Sequence, residues 1–310
     1  MRLFRCKLWL RNIGEYSLFV LSLAALVFSQ NSPNPERTPL QQNIVVYAVL
    51  GDGTYIEPVG YVDGGQMADS SGMTAENEGF VYKSRYAAGR KYSLVFGGAR
   101  VGDIEIKEQI TGECAGDSAQ ILLRSSAIRP KGFVMALATD APINSDLKRF
   151  RRRPSVKERA DIEELVRQEF AANSAAVESK HPLRYFNLTA IDVDRDGIVE
   201  FVGSYWSAPE KNKRAMLFFI AERLENGSYS FNHKEFTKYT GENVMSGEVA
   251  DTDDGTYHEL LLDYFDIDAD GVAEIFTTTQ AFEGRNFAVY RRVKGKWTSV
   301  FTSYNYRCGY

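Results

Sequence analysis

The sequence predicts a mainly β protein with one linking helix, on three observations. In 310 residues, 19 Phe and 17 Tyr accompany 25 Gly and only 9 Pro, a balance that favours strands and turns. A sustained helical period occurs in one stretch, which begins at Ser155. The acidic segment Asp192–Glu200 recurs as Asp266–Glu274, each copy set between β-like runs. With 44% hydrophobic and 25% charged residues the chain has ordinary globular composition and is long enough for two domains with real cores.

Residues 1–29 read as an address. Arg2, Arg5, Lys7 and Arg11 lead into the uncharged apolar run Leu18 to Phe28, and Val27-Phe28-Ser29 supplies a cleavage site before Gln30. The run is shorter than the roughly 20 apolar residues of a membrane span. A cleaved secretory signal is therefore expected, and with it a secreted or periplasmic protein without a stable membrane anchor. Loss of four basic residues and one acidic residue takes the net charge from −4 to −4 − 3 = −7. Such an acidic chain argues against nucleic acid as a partner, because phosphate binding needs clustered positive charge. Cys6 leaves with the signal, so Cys114 and Cys308 form a candidate disulfide, with two separate buried thiols as the alternative.

Residues 30–41, polar and containing Pro33, Pro35 and Pro39, form a leader. Residues 42–143 are expected to form a β domain. Ile44 to Leu50 and Tyr55 to Val62 flank Gly51-Asp52-Gly53 as strand, turn and strand. Further strands are expected between Phe80 and Gln109, at Gln120 to Leu123 and at Phe133 to Ala138. This part contains no His, the commonest general base and metal ligand. Gly97-Gly98 lacks the Lys-Ser or Lys-Thr of a phosphate cradle and reads as a turn.

Residues 144–182 are a basic linker and helix. Lys148, Arg149, Arg151, Arg152 and Arg153 crowd together and read as a solvated face at a domain boundary. Ser155 and Glu158 then make a capping box, and the helix is expected to run to about Glu178, before His181-Pro182.

In residues 183–310 each acidic loop places carboxylates at positions 1, 3, 5 and 9 around a Gly at position 6, the oxygen-rich environment of a hard cation, and calcium is the expected ion. The loops are offset by 266 − 192 = 74 residues, and the runs around them correspond, which signals a repeat. An EF-hand is excluded, since its closing acid stands at position 12, where this chain has Gly203 and Thr277. The backbone carbonyls of Ile198 and Val272 are the expected position 7 ligands. Asp251-Thr-Asp-Asp-Gly255 hints at a third loop with the wrong spacing.

These Asp-x-Asp-x-Asp-Gly-x-x-acid loops between strands resemble the FG-GAP repeat family, known from the propeller of integrin α-subunits and from bacterial VCBS-type repeats. The resemblance covers about residues 185–301 and implies a partial propeller-like architecture of two repeats. It also implies that Asp192, Asp194, Asp196, Glu200, Asp266, Asp268, Asp270 and Glu274 are calcium ligands.

The expected function is a calcium-stabilised binding or structural module for a protein or glycan ligand; an inhibitor or adhesin with a protein partner is a further option, for which Tyr205, Trp206 and Trp297 are aromatic candidates, with core packing as their alternative role. The alternative is a secreted hydrolase of glycans or peptides, whose candidates would be Glu259 near His258 and Glu235 near His233. No nucleophile elbow, zinc-binding His pair or Cys–His signature accompanies them. Asn187 and Asn226 open glycosylation sequons.

Overall fold

The computed structural model describes residues 44–63, 66–69, 85–110, 118–144, 146–175, 177 and 181–307. The expected signal, the leader and the Cys114–Cys308 pair lie outside them. The described residues belong to one compact unit, mainly β with one long helix, and no helix among them is long and apolar enough to cross a membrane.

The first part is a closed ring. Strands β1 (Ile44–Leu50), β2 (Tyr55–Asp63), β3 (Gln66–Ala68), β4 (Lys91–Val95), β5 (Arg100–Ile110), β6 (Ser118–Arg124) and β7 (Ala136–Thr139) take the order β1-β7-β4-β5-β6-β2-β3, and a β1–β2 pairing closes six of them. Closure removes the free edges that an open sheet would expose. The unbroken apolar run of β1 follows from burial on both faces. Val45, Tyr47 and Val49 join one core with Tyr92, Leu94, Ile104 and Ile121, all from the ring. Val46, Ala48 and Leu50 join another with Leu260, Leu262, Phe276 and Val289, far along the chain.

A five-stranded sheet of order β12-β11-β10-β9-β8 follows, made of β8 (Arg151–Arg152), β9 (Arg184–Ile191), β10 (Glu200–Glu210), β11 (Lys213–Arg223) and β12 (Tyr229–Thr240). Helix α1 (Val156–Ala172) buries Ile162, Val166 and Phe170 against its outer face. Both arms of the capping box form: the Ser155 hydroxyl accepts from the Glu158 N–H, and the Glu158 carboxylate accepts from the Ser155 N–H at 2.7 Å. The helix stops short of His181-Pro182 because Ser174 turns left-handed at φ 54°.

A four-stranded sheet, β13 (Glu259–Phe265), β14 (Glu274–Ala281), β15 (Gly284–Val293) and β16 (Lys296–Tyr306), completes the fold in simple up-and-down order. Its inner residues Leu261, Tyr264, Ile275 and Tyr290 meet Ile191, Val202, Phe218 and Ile220 of the preceding sheet. Its other face shares the second core of the ring. The layers therefore stack as helix, sheet, sheet and ring.

In the basic segment Lys148, Arg149, Arg152 and Arg153 are exposed, as expected of a solvated face, and Arg151 departs from it. Arg151 is 7% exposed and pairs at 3.2 Å with Asp263, which is 0% exposed. The same guanidinium donates to the carbonyls of Leu262 and Met135. Arg149 donates to the carbonyl of Ala127, and Arg152 binds Glu158 through both terminal nitrogens. Arg151 thus ties the ring side to the last sheet, and Arg152 ties the segment to α1. Gly97-Gly98 is a turn, as expected, and the Gly97 N–H reaches both Asp263 oxygens at 3.0 and 2.9 Å. At Gly98, which has φ 67°, a Cβ would stand 2.4 Å from the Tyr264 ring.

Candidate metal centres

The two acidic loops occupy matching places, between β9 and β10 and between β13 and β14. In each, the residue at position 4 and the Gly at position 6 are left-handed: Arg195 and Gly197 in the first, Ala269 and Gly271 in the second. Those turns fold the acidic side chains back onto one point. In the first loop, carboxylate oxygens of Asp192, Asp194 and Asp196 lie within 4.8 Å of one another; in the second, those of Asp266, Asp268 and Glu274 do.

The hydrogen bonding differs between them. Asp192, 8% exposed, accepts the Gly197 N–H on Oδ2, and Asp196 accepts the Ile198 N–H. Asp192 Oδ1 and Asp194 Oδ1 are buried and have no hydrogen-bond partner among the described residues. A buried anionic oxygen in that condition is costly unless a cation meets it, so the first loop fits a metal ion bound by Asp192, Asp194 and Asp196. In the second loop Asp266 accepts from Asp270 N and Gly271 N, Asp268 from Asp270 N, and Asp270 from Val272 N. Ile198 is exposed and Val272 partly buried, each in the loop.

Glu200 and Glu274, at position 9, are 5% and 1% exposed. Each accepts the N–H of the position 2 residue, Val193 and Ile267 respectively, which closes its loop. Each also meets an arginine: Arg292 at 2.7 Å from Glu200, and Arg291 at 2.7 Å from Glu274. Glu274 belongs to the close oxygen set of its loop, whereas Glu200 is not in that of its own. Burial pushes both carboxyls up to about 7, opposed chiefly by Arg292 at Glu200 and by the Ile267 N–H and Arg291 at Glu274. The partially buried Asp266 is raised for the same reason.

These arginines are adjacent on β15. Successive strand residues point to opposite faces. Arg291 thus serves its own sheet, pairing also with Asp268 at 3.1 Å, while Arg292 crosses to the neighbouring sheet and binds Asp194 and Glu222 as well as Glu200. Trp297 lies beneath the Arg292 guanidinium at 5.1 Å and donates to Glu222 at 2.8 Å. Sequence reasoning missed both arginines, although two cations side by side after the apolar run Phe287 to Tyr290 were the available signal.

The remaining candidates fall as follows. Asp253 of the hinted third loop is held by the Arg214 guanidinium through both oxygens. Tyr205 and Trp297 are buried in the cores on either side of the five-stranded sheet, and Trp206 is buried against Phe186 and His258, so they offer no partner surface. His258, Glu259 and Glu235 line one cleft between the two sheets, and His233 lies 3.5 Å from Glu235. Sequence had set these as two separate pairs.

Compared with known proteins, the chain matches no family model, no curated protein and no solved structure. Fold and site together define a mainly β protein with two acidic, strand-connecting loops on adjacent sheets.

Proposed function

We propose that the protein is an exported calcium-binding β-repeat module of FG-GAP type, secreted or periplasmic, in which calcium braces the two sheets and the surfaces they support bind a protein or glycan. One observation carries the metal reading: the unpartnered, buried oxygens of Asp192 and Asp194 beside Asp196. Calcium suits an all-oxygen set of this kind. When bound it supplies fixed positive charge to the loop, and Arg292 holds the second oxygen of Asp194 in orientation. Position 9 acids and the carbonyls of Ile198 and Val272 complete the proposed ligand sets.

Calcium titration followed by calorimetry tests the reading, with Asp192→Asn and Asp266→Asn separating the loops. Two sites, each lost in one variant, are expected; absence of calcium binding in the wild-type chain would overturn it. The competing hydrolase reading draws on the cleft that unites Glu235, His258 and Glu259. Turnover of a polysaccharide or ester panel, abolished by Glu259→Gln, would replace the module reading with it.

A further inference from the structure

The interface between the two sheets carries a site of its own, separate from the loops. Strand β12 places His233, Glu235, Thr237 and Tyr239 at alternate positions, opposite Ile220, Phe218, Met216 and Arg214 of β11. Phe218 and Ile220 belong to the core between the sheets, so this row shares the face turned toward β13–β16. From the facing sheet come Glu259 and its cross-strand neighbour Thr279. The interface is apolar around Ile275, Tyr264 and Trp297. Elsewhere it opens into a cleft of about 140 Å³, whose lining includes Ser204, Glu235, Tyr239, Tyr257, His258 and Glu259.

We propose that this cleft binds a primary ammonium group, the head of a lysine side chain or of a small free amine, between Glu235 and Glu259 and beside the stacked Tyr239–Tyr257 pair.

Charge is the first argument. No Lys or Arg is among the lining residues, and both carboxylates there are acidic partners for a cation. His258 adds no positive charge, because burial pushes it down to about 4, opposed by the Thr252 backbone and the Asp253 carboxylate. Acceptors are the second argument. Thr277 and Tyr290 both donate to Glu259 Oε1, at 2.6 and 2.8 Å, which leaves Oε2 for a ligand in the cleft. His258, 1% exposed, shares Nδ1 with the Ser204 hydroxyl at 3.5 Å, and its buried Nε2 has no hydrogen-bond partner among the described residues. An ammonium carries three donors and no acceptor, which matches the carboxylate oxygens of Glu235 and Glu259 in the cleft lining.

The walls supply the third argument. The Tyr239 and Tyr257 rings stack at 5.2 Å and 12°, and an aromatic face attracts an organic cation. Met216, Leu217 and Phe218 line the same cleft and suit the methylene stem behind a charged head. A metal ion is the poorer occupant. Among the described residues, three metal-ligating groups converge within 4.8 Å only in the two loops.

Protons are coupled to this binding. Burial pushes Glu259 up to about 7; Thr277, Tyr290 and His233 oppose the shift and Glu235 adds to it, while Glu235 itself is lowered by His233. A bound cation favours the ionised carboxylate, so the ligand displaces a proton from Glu259.

Calorimetry on the full protein in excess calcium tests the proposal, using Nα-acetyl-lysine methylamide for a peptide lysine and cadaverine for a free amine. Saturable binding is expected, about tenfold weaker at pH 6 than at pH 8, with a proton release that appears as dependence on buffer ionisation enthalpy. Glu259→Gln should abolish the pH dependence and weaken binding. Glu235→Gln, on the exposed rim, should weaken binding in a protein whose melting point is unchanged. Preference between the two probes identifies the source of the amine. The proposal is overturned if neither amine binds at millimolar concentration, if the Nε-acetylated lysine analogue binds as well, if both variants bind as the wild type does, or if glucose saturates the cleft instead.

Discussion

Arg292 touches three carboxylates, those of Asp194, Glu200 and Glu222, from a strand of the other sheet. Replacing it with Met would leave three acids facing one another in a partly buried site, and the expected loss is about 2–4 kcal/mol in the presence of chelator. Calcium in the first loop would offset part of that repulsion, so urea denaturation with calcium should show a smaller loss. Arg292→Lys should not restore the wild type, because an ammonium cannot reproduce the planar fork that reaches several carboxylates. The pH dependence follows from the raised carboxyls. Glu259 is ionised in the unfolded chain above its ordinary range near 4.5 but stays protonated in the folded one up to about 7. The folded state then holds the extra proton, and stability falls as pH rises through that window. At about 1.4 kcal/mol per pKa unit the fall is on the order of 3 kcal/mol, and chemical denaturation of Glu259→Gln between these pH values should show a flatter curve. At this scale the loop acids were legible because their spacing is local. Arg292 was not, since it stands 92 residues from Glu200 in the chain.

Among the elements, α1 was the most legible, because its start is written in four consecutive residues. Ser155→Ala removes one arm of the capping box and is expected to cost about 1 kcal/mol, readable as a lower melting temperature. Its apolar stripe, Ile162, Val166 and Phe170, packs rather than docks a partner. The expected end near Glu178 came from the Pro182 stop signal, whereas the left-handed Ser174 ends the helix first. Strands were legible from apolar runs, with one shortened: of Phe133 to Ala138 only Ala136 onward pairs, and Lys131 and Val134 bridge in a turn before it. What the runs could not reveal was which strands are neighbours. The β1–β2 hairpin is local, but the β1–β7 and β2–β6 pairings that complete the ring depend on contacts distant in sequence, and local periodicity carries no information about those.

At the scale of the molecule, four layers are clamped at two kinds of point, the acidic loops and the buried Arg151–Asp263 pair. Burial alone pushes the Asp263 carboxyl upward and Arg151 opposes it; removing the cation leaves an uncompensated charge at 0% exposure. Arg151→Met is expected to destabilise by about 3–5 kcal/mol in equilibrium unfolding. Complete calcium removal should lower the melting temperature of the wild type and do less in an Asp192→Asn, Asp266→Asn double variant; an unchanged midpoint would sink the bracing role. The shift to basic composition near residue 144 falls between β7, in the ring, and β8, the first strand of the five-stranded sheet. The role of Arg151 was hidden, because composition shows that arginines cluster but not that the carbonyl and carboxylate partners of this one lie at Met135, beside the ring, and at Leu262 and Asp263 of the last sheet.

The core shared by the ring and the last sheet bears on how this chain can be inherited. Recombination at residue 144 would hand on two sheets whose Leu260, Leu262, Phe276, Phe287 and Val289 had lost their cover, and such a fragment should accumulate as inclusion bodies rather than as a portable repeat. Duplication or shuffling of this protein would therefore succeed only by moving ring, helix and sheets together.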